Sequence, residues 1–95
     1  MAVYMILNIE IVDPGVFKKF QEKFPPLLEK YGGRYLTRGG HAERWEGEWE
    51  PKRIVIFEFP SMEQARRIYD SEEYAPLKKL RHQSSKSDLI VVEGL

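Results

Sequence analysis

Residues 3–11, Val-Tyr-Met-Ile-Leu-Asn-Ile-Glu-Ile, alternate with period two and carry apolar side chains on both resulting faces. Val3, Met5, Leu7, Ile9 and Ile11 fall on one side, and Tyr4, Ile6, Asn8 and Glu10 on the other. Arg53–Phe59 has the same character, with Val55, Phe57 and Phe59 opposed to Ile54, Ile56 and Glu58. A sheet built on two such strands needs cover on both faces. How that cover is supplied constrains the architecture more than any other feature.

One cover is helical. Asp13-Pro14 is a helix start, aspartate at the N-cap and proline at the first helical position. Phe17, Phe20, Phe24, Leu27, Leu28 and Tyr31 then follow at three- and four-residue spacing as one apolar stripe. The spacing predicts a helix that kinks or restarts at Pro25-Pro26, because an interior proline removes a hydrogen bond and clashes with the preceding turn. Gly32-Gly33 ends it, one glycine taking the left-handed cap. Ser61-Met62-Glu63-Gln64 is a capping box, and the helix it opens turns Met62, Ala65, Ile68 and Tyr69 inward. A further helical segment spans about Glu72–Arg81, with Pro76 as a break point.

Arg34–Arg38 reads as a short strand. A second short strand is expected around Glu43–Glu46, a polar linker at His82–Ser87 and a last strand at Asp88–Glu93. The order is β-α-β-β-α-β, an α+β ferredoxin-like unit: an antiparallel sheet with two main helices. Right-handed crossovers place both helices on one face. The other face, with Ile54 and Ile56, then forms an apolar patch larger than a soluble monomer tolerates. A homodimer packed through this open sheet face is the simplest cover.

At 95 residues the chain is one domain, residues 1–95. Its 15 basic and 15 acidic residues cancel, so there is no field to attract phosphates and no nucleic-acid partner is expected. The absence of cysteine excludes disulfides, thiol catalysis and cysteine-based metal sites. The first residues lack a basic region and reach Asn8 and Glu10 too soon for a signal peptide or a membrane span. A cytoplasmic protein without a membrane partner is the expectation.

Several islands resemble the domain-of-unknown-function 1330 family of dimeric α+β barrels. They are Tyr-Gly-Gly-Arg-Tyr-Leu at 31–36, Arg-Gly-Gly at 38–40, Glu-Gly-x-Trp at 46–49 and Glu-Phe-Pro-Ser at 58–61. Ser-x-Glu-Tyr-x-Pro-Leu at 71–77, Arg81 and Val-Glu-Gly at 92–94 complete the set, which spans nearly the whole chain. The resemblance implies a ferredoxin-like fold and a homodimer, and no settled activity. The wider superfamily includes cofactor-free monooxygenases, small-molecule isomerases and haem enzymes, an analogy of fold that does not carry function. Pro25-Pro26 departs from the pattern, since this helix is typically uninterrupted.

The candidate site draws on the same islands. Arg34 and Arg38 are four apart on a strand, so they are expected to share a face, where two guanidiniums can bind a carboxylate or phosphate. The structural alternative pairs Arg34 with an acid at a sheet edge. Glu58 interrupts an apolar strand and is a candidate proton-transfer group, the alternative being an ion pair with Arg38, Arg53 or Arg81. His41 is a second candidate base, although a lone loop histidine usually has no such role. Tyr74 and Arg81, two helical turns apart, are expected to line a pocket mouth. Asn8 needs a partner or a ligand for its amide. Trp45 and Trp49 suit a dimer rim.

Two readings follow. One is a small-molecule enzyme that needs no cofactor and no metal, with Arg38, Arg34, Tyr74, Arg81 and Asn8 binding an anionic or carbonyl-containing metabolite and Glu58 or His41 moving a proton. The other is a non-catalytic dimeric module that binds a metabolite or serves a structural or stress-related role. An open pocket lined by Arg38 and Glu58 favours the first; arginine–glutamate pairs closed on each other favour the second.

Overall fold

A computed structural model describes all residues from Met1 to Leu95. Seven elements follow in the order β1 (Val3–Ile11), α1 (Pro14–Lys30), β2 (Arg34–Arg38), β3 (Arg53–Phe59), α2 (Met62–Tyr69), α3 (Ala75–Ser84) and β4 (Ser85–Glu93). The strands form one sheet in the order β2-β3-β1-β4, antiparallel at every junction. This is the ferredoxin-like α+β arrangement.

The two faces of β1 separate as its alternation requires. Val3, Met5, Leu7 and Ile9 are buried, as are Val55, Phe57 and Phe59 opposite them on β3. They form one core with Phe17, Phe20, Phe24, Leu27 and Leu28 of α1, Ala65 and Ile68 of α2, Tyr74 and Leu77. The other face has no helical cover. There Ile6 stands between Ile56 and Ile90, flanked by Ile54, Leu36 and Val92. Leu36, Ile90 and Val92 are 47%, 59% and 46% exposed, so a contiguous apolar strip lies open.

Helix α1 begins as expected, the Val16 N–H donating to Asp13 Oδ1 at 3.1 Å. It neither stops nor restarts at Pro25-Pro26 but runs unbroken to Lys30. Five buried side chains worth about 1.5–3 kcal/mol each outweigh the roughly 3 kcal/mol cost of each interior proline. The helix ends in a Schellman motif, in which Gly33 N–H donates to Leu28 C=O at 2.9 Å and Gly32 N–H to Glu29 C=O at 3.0 Å. The two glycines have different tasks. Gly32 supplies the positive φ of 81°, whereas a Cβ on Gly33 would collide with the Leu28 side chain and lie 2.7 Å from the Phe59 ring.

Three other expectations are corrected. Residues 41–50 are wholly exposed and form no strand at Glu43–Glu46. That stretch has no alternating apolar face to bury, and Arg44 instead pairs with Glu50 at 2.9 Å. There is no polar linker at His82–Ser87, because α3 passes directly into β4. Ser84 and Ser85 are buried with their hydroxyls donating to the Leu80 and Arg81 carbonyls, both at 2.6 Å. The serines satisfy the helix end that a linker would have left to water. Pro76, finally, breaks nothing, since it sits in the first turn of α3 where no N–H is needed.

Candidate functional site

Between the covered sheet face and the helices lies a cavity of about 40 Å³. Its walls come from Leu7 and Ile9 of β1, Phe17, Phe20 and Phe24 of α1, Phe57 of β3, and Tyr69 and Tyr74 beyond. Phe24 links three of these elements, with its ring centroid 5.6 Å from Phe57 and 5.7 Å from Tyr74. Few of the residues lining this apolar chamber carry a polar group: Gln21, Tyr35, Tyr69, Tyr74, Arg38 and Arg53. The volume is well below the roughly 150 Å³ that accommodates a benzene, so a ligand larger than a few waters must displace a side chain at the rim.

Arg38 reaches the cavity by a change of register. Tyr35 pairs with Phe57 and Thr37 already with Ile56, leaving Leu36 as the extra residue of a β-bulge. Arg34, before the bulge, pairs with Glu58 on the open face; Arg38, after it, pairs with Val55 on the covered one. The expectation that Arg34 and Arg38 share a face is therefore wrong. The Arg38 guanidinium lies 4.7 Å from the centre of the Tyr35 ring, a cation–π contact.

Glu58 is closed on Arg34, which donates from Nε at 2.7 Å. It stands on the open face, outside the cavity, so neither its expected partners nor its place beside Arg38 hold. His41 is exposed in the loop and lies 2.9 Å from Glu43. The two residues expected to move a proton are thus not brought to the cavity. Asn8 is also accounted for without a ligand: it donates to Glu50 C=O at 3.1 Å and accepts from Lys52 N–H at 2.7 Å. Its amide pins the 39–52 loop to β1.

Tyr74 and Arg81 do come together, although Arg81 does not line the cavity. Tyr74 lines the cavity, while Arg81 is buried beside it and donates to Ser87 Oγ at 2.6 Å. Burial pushes the Tyr74 phenol above its ordinary value, with the Arg81 guanidinium opposing the rise. Burial likewise raises Tyr35, against the opposing charges of Arg38 and Arg53. No carboxylate of the chain is within ion-pair distance of Arg38, Arg53 or Arg81. The cavity is therefore set among positive groups that no carboxylate of the chain neutralises.

Two of these residues were open to sequence reasoning and missed by it. Arg53 keeps step with Val55, Phe57 and Phe59, and an arginine in phase with core positions is itself a signal. Tyr35 falls on the covered face because it precedes the bulge. The bulge has no counterpart in the sequence pattern. No three histidine, aspartate or glutamate side chains converge as metal ligands, and no helix is long and apolar enough to cross a membrane.

Known structures of the same shape include a protein of unknown function from Rhodopseudomonas palustris, 18% identical with a TM-score of 0.78, the match covering 99% of this chain and 82% of that one. SnoaB, a cofactor-independent oxygenase from Streptomyces nogalater, aligns at 11% identity and TM-score 0.69 over 99% and 93% of the two chains. An uncharacterised NIPSNAP domain protein from Burkholderia xenovorans gives 13% and 0.57 over 100% and 95%. At these identities the likeness is one of fold. No curated protein matches the chain in sequence. The model of the domain of unknown function DUF1330 matches residues 2–95, and the chain belongs to that family.

Proposed function

We propose that this chain is a homodimeric small-molecule-binding protein whose cavity takes an anionic or carbonyl-containing metabolite, with Arg38 holding the polar group. The observation that carries this reading is the bulge that delivers Arg38, without any carboxylate partner, to an aromatic-walled cavity. A surface arginine serving solubility alone needs no such chamber beside it.

The dimer is the second half of the reading. Ile6, Ile54, Ile56, Leu36, Ile90 and Val92 form the uncovered strip, and a second copy laid face to face buries it. Arg34–Glu58 and the loop carrying Trp45 and Trp49 then lie in or near the joint. Tyr4, opposite Glu58 on β1, contributes a further aromatic to it.

Cofactor-independent chemistry of the kind named for SnoaB is compatible with this cavity, provided that its own residues supply the proton transfer. With Glu58 and His41 elsewhere, the tyrosines that line it, Tyr35, Tyr69 and Tyr74, are the residues left to take that part. Retention of a metabolite without turnover is the alternative, favoured by the engagement of Glu58 with Arg34. The test is a thermal-shift screen of small carboxylic acids and carbonyl compounds on the wild type and Arg38→Ala. Stabilisation of the wild type and its loss in the variant are expected; equal stabilisation of both removes Arg38 from the site.

A further inference from the structure

We propose that Arg53 joins Arg38 in a two-guanidinium clamp, and that the clamp selects a carboxylate carried on a small apolar body, a single ring or a short chain. The inference rests on the cavity being a ligand site and adds both a second binding residue and the ligand's chemical class.

The register places Arg53 opposite Ile9, in phase with the core residues of β3, so its stem runs along the cavity wall. Its Nε is buried and has no hydrogen-bond partner. A guanidinium N–H held away from water without an acceptor is costly, and a carboxylate can answer it with one of two parallel hydrogen bonds, the other going to a terminal nitrogen. Arg34, Arg44 and Lys30 each close on a glutamate at the surface, whereas Arg53 has its Nε withdrawn from water and no carboxylate beside it. At the cavity two arginines are left unpaired.

The Arg38-Gly39-Gly40 island acquires a purpose from this arrangement. Gly39 has φ 74°, and its N–H donates to Ile54 C=O at 2.9 Å. A Cβ there would stand 2.7 Å from Arg53 Cζ and closer still to Nη1. The bare backbone therefore provides the seat for the Arg53 guanidinium, immediately after Arg38 in the chain. Arg38 pairs with Val55, two residues along β3 from Arg53 and on the same face, which puts both arginines at one end of the chamber.

The walls set the rest of the ligand. Thirteen of the sixteen lining residues are hydrophobic, which suits an apolar body and penalises a strongly hydrated dianion such as phosphate. The resting volume is smaller than one ring, so the body must be small and enters only as rim side chains yield.

The test is nuclear magnetic resonance titration of the ¹⁵N-labelled full chain with benzoate, propionate, benzamide and inorganic phosphate, followed at the arginine Nε–H and Gly39 amide signals. The clamp predicts that at least one of the two carboxylates moves the Arg53 and Arg38 signals. It should bind at least about tenfold tighter than its uncharged amide or phosphate, with Arg53→Gln losing about tenfold or more. Arg34→Gln should bind as the wild type does. Arg53→Lys, which keeps charge and stem, should bind worse than wild type because it lacks the fork. Equal binding of benzoate and benzamide, or of phosphate and benzoate, overturns the clamp while leaving the cavity a ligand site. No movement at any cavity residue overturns both.

Discussion

Arg34 and Arg38 lie four residues apart on one strand yet serve opposite faces of the sheet, because Leu36 is an extra residue between them. One guanidinium closes on Glu58 and the other stands over the Tyr35 ring at the cavity. Their substitutions should separate cleanly. Arg34→Ala removes a pair whose arginine is largely exposed and whose glutamate is half-buried, and should cost about 1 kcal/mol of stability, leaving ligand binding intact. Arg38→Ala should change stability by less than about 0.5 kcal/mol and abolish binding. Denaturant unfolding and the thermal-shift screen read the two effects independently.

Ile56 sits at the centre of the uncovered strip, paired with Ile6. Ile56→Asp places a charge where a second copy should dock, and sedimentation should show a monomer. The change also costs strand propensity and contact with Ile6, so the association is read from the concentration dependence and not from the melting temperature alone. The wild-type melting temperature should rise with protein concentration and the variant's should not.

Pro26 lies in the interior of α1 and faces solvent. An alanine there restores the amide and relieves the clash, worth about 3 kcal/mol, while the unfolded chain regains up to about 1 kcal/mol of freedom. Pro26→Ala should therefore stabilise the protein by about 2 kcal/mol. Phe24→Ala, on the buried stripe of the same helix, should destabilise it by about 3–5 kcal/mol. Urea unfolding curves of the two variants check both signs.

Tyr35 and Tyr74 have phenols raised above the ordinary value of 10.0, chiefly by burial. The folded chain holds these protons more tightly than the unfolded chain. Their stabilising contribution is therefore complete below about pH 10 and is lost as pH rises through the folded values. Alkaline unfolding should accompany tyrosinate absorbance, and the double variant Tyr35→Phe/Tyr74→Phe should resist it. His82 runs the other way. Burial, Arg81 and Lys78 depress it below 6.5, so its contribution is present above that pH and is lost as pH falls through the lower, folded value. His82→Gln should flatten the acid side of the stability profile.

Period-two alternation in β1 and β3, the Asp13 and Ser61 caps and the Gly32 terminus were all legible because each depends on neighbouring residues alone. The helix through Pro25-Pro26 was not, since the stripe that holds it together packs against strands distant in sequence. Glu58 shows the same limit. Its place before a helix is a local fact, but its pairing with Arg34 depends on the register of β2, and that register turns on a single bulged residue. Asn8 was recognised as needing a partner, but the partner belonged to a loop more than forty residues away.

The most direct test of a face-to-face dimer with one acid-holding cavity per protomer is native mass spectrometry of the purified chain, followed by denaturation and analysis of what is released. A dimer of 11.2 kDa protomers that releases a small organic acid, with Arg38→Ala dimeric but empty, is the predicted result. A monomer contradicts the assembly, and a wild-type dimer that releases nothing and binds none of the acids offered to it contradicts the cavity's role.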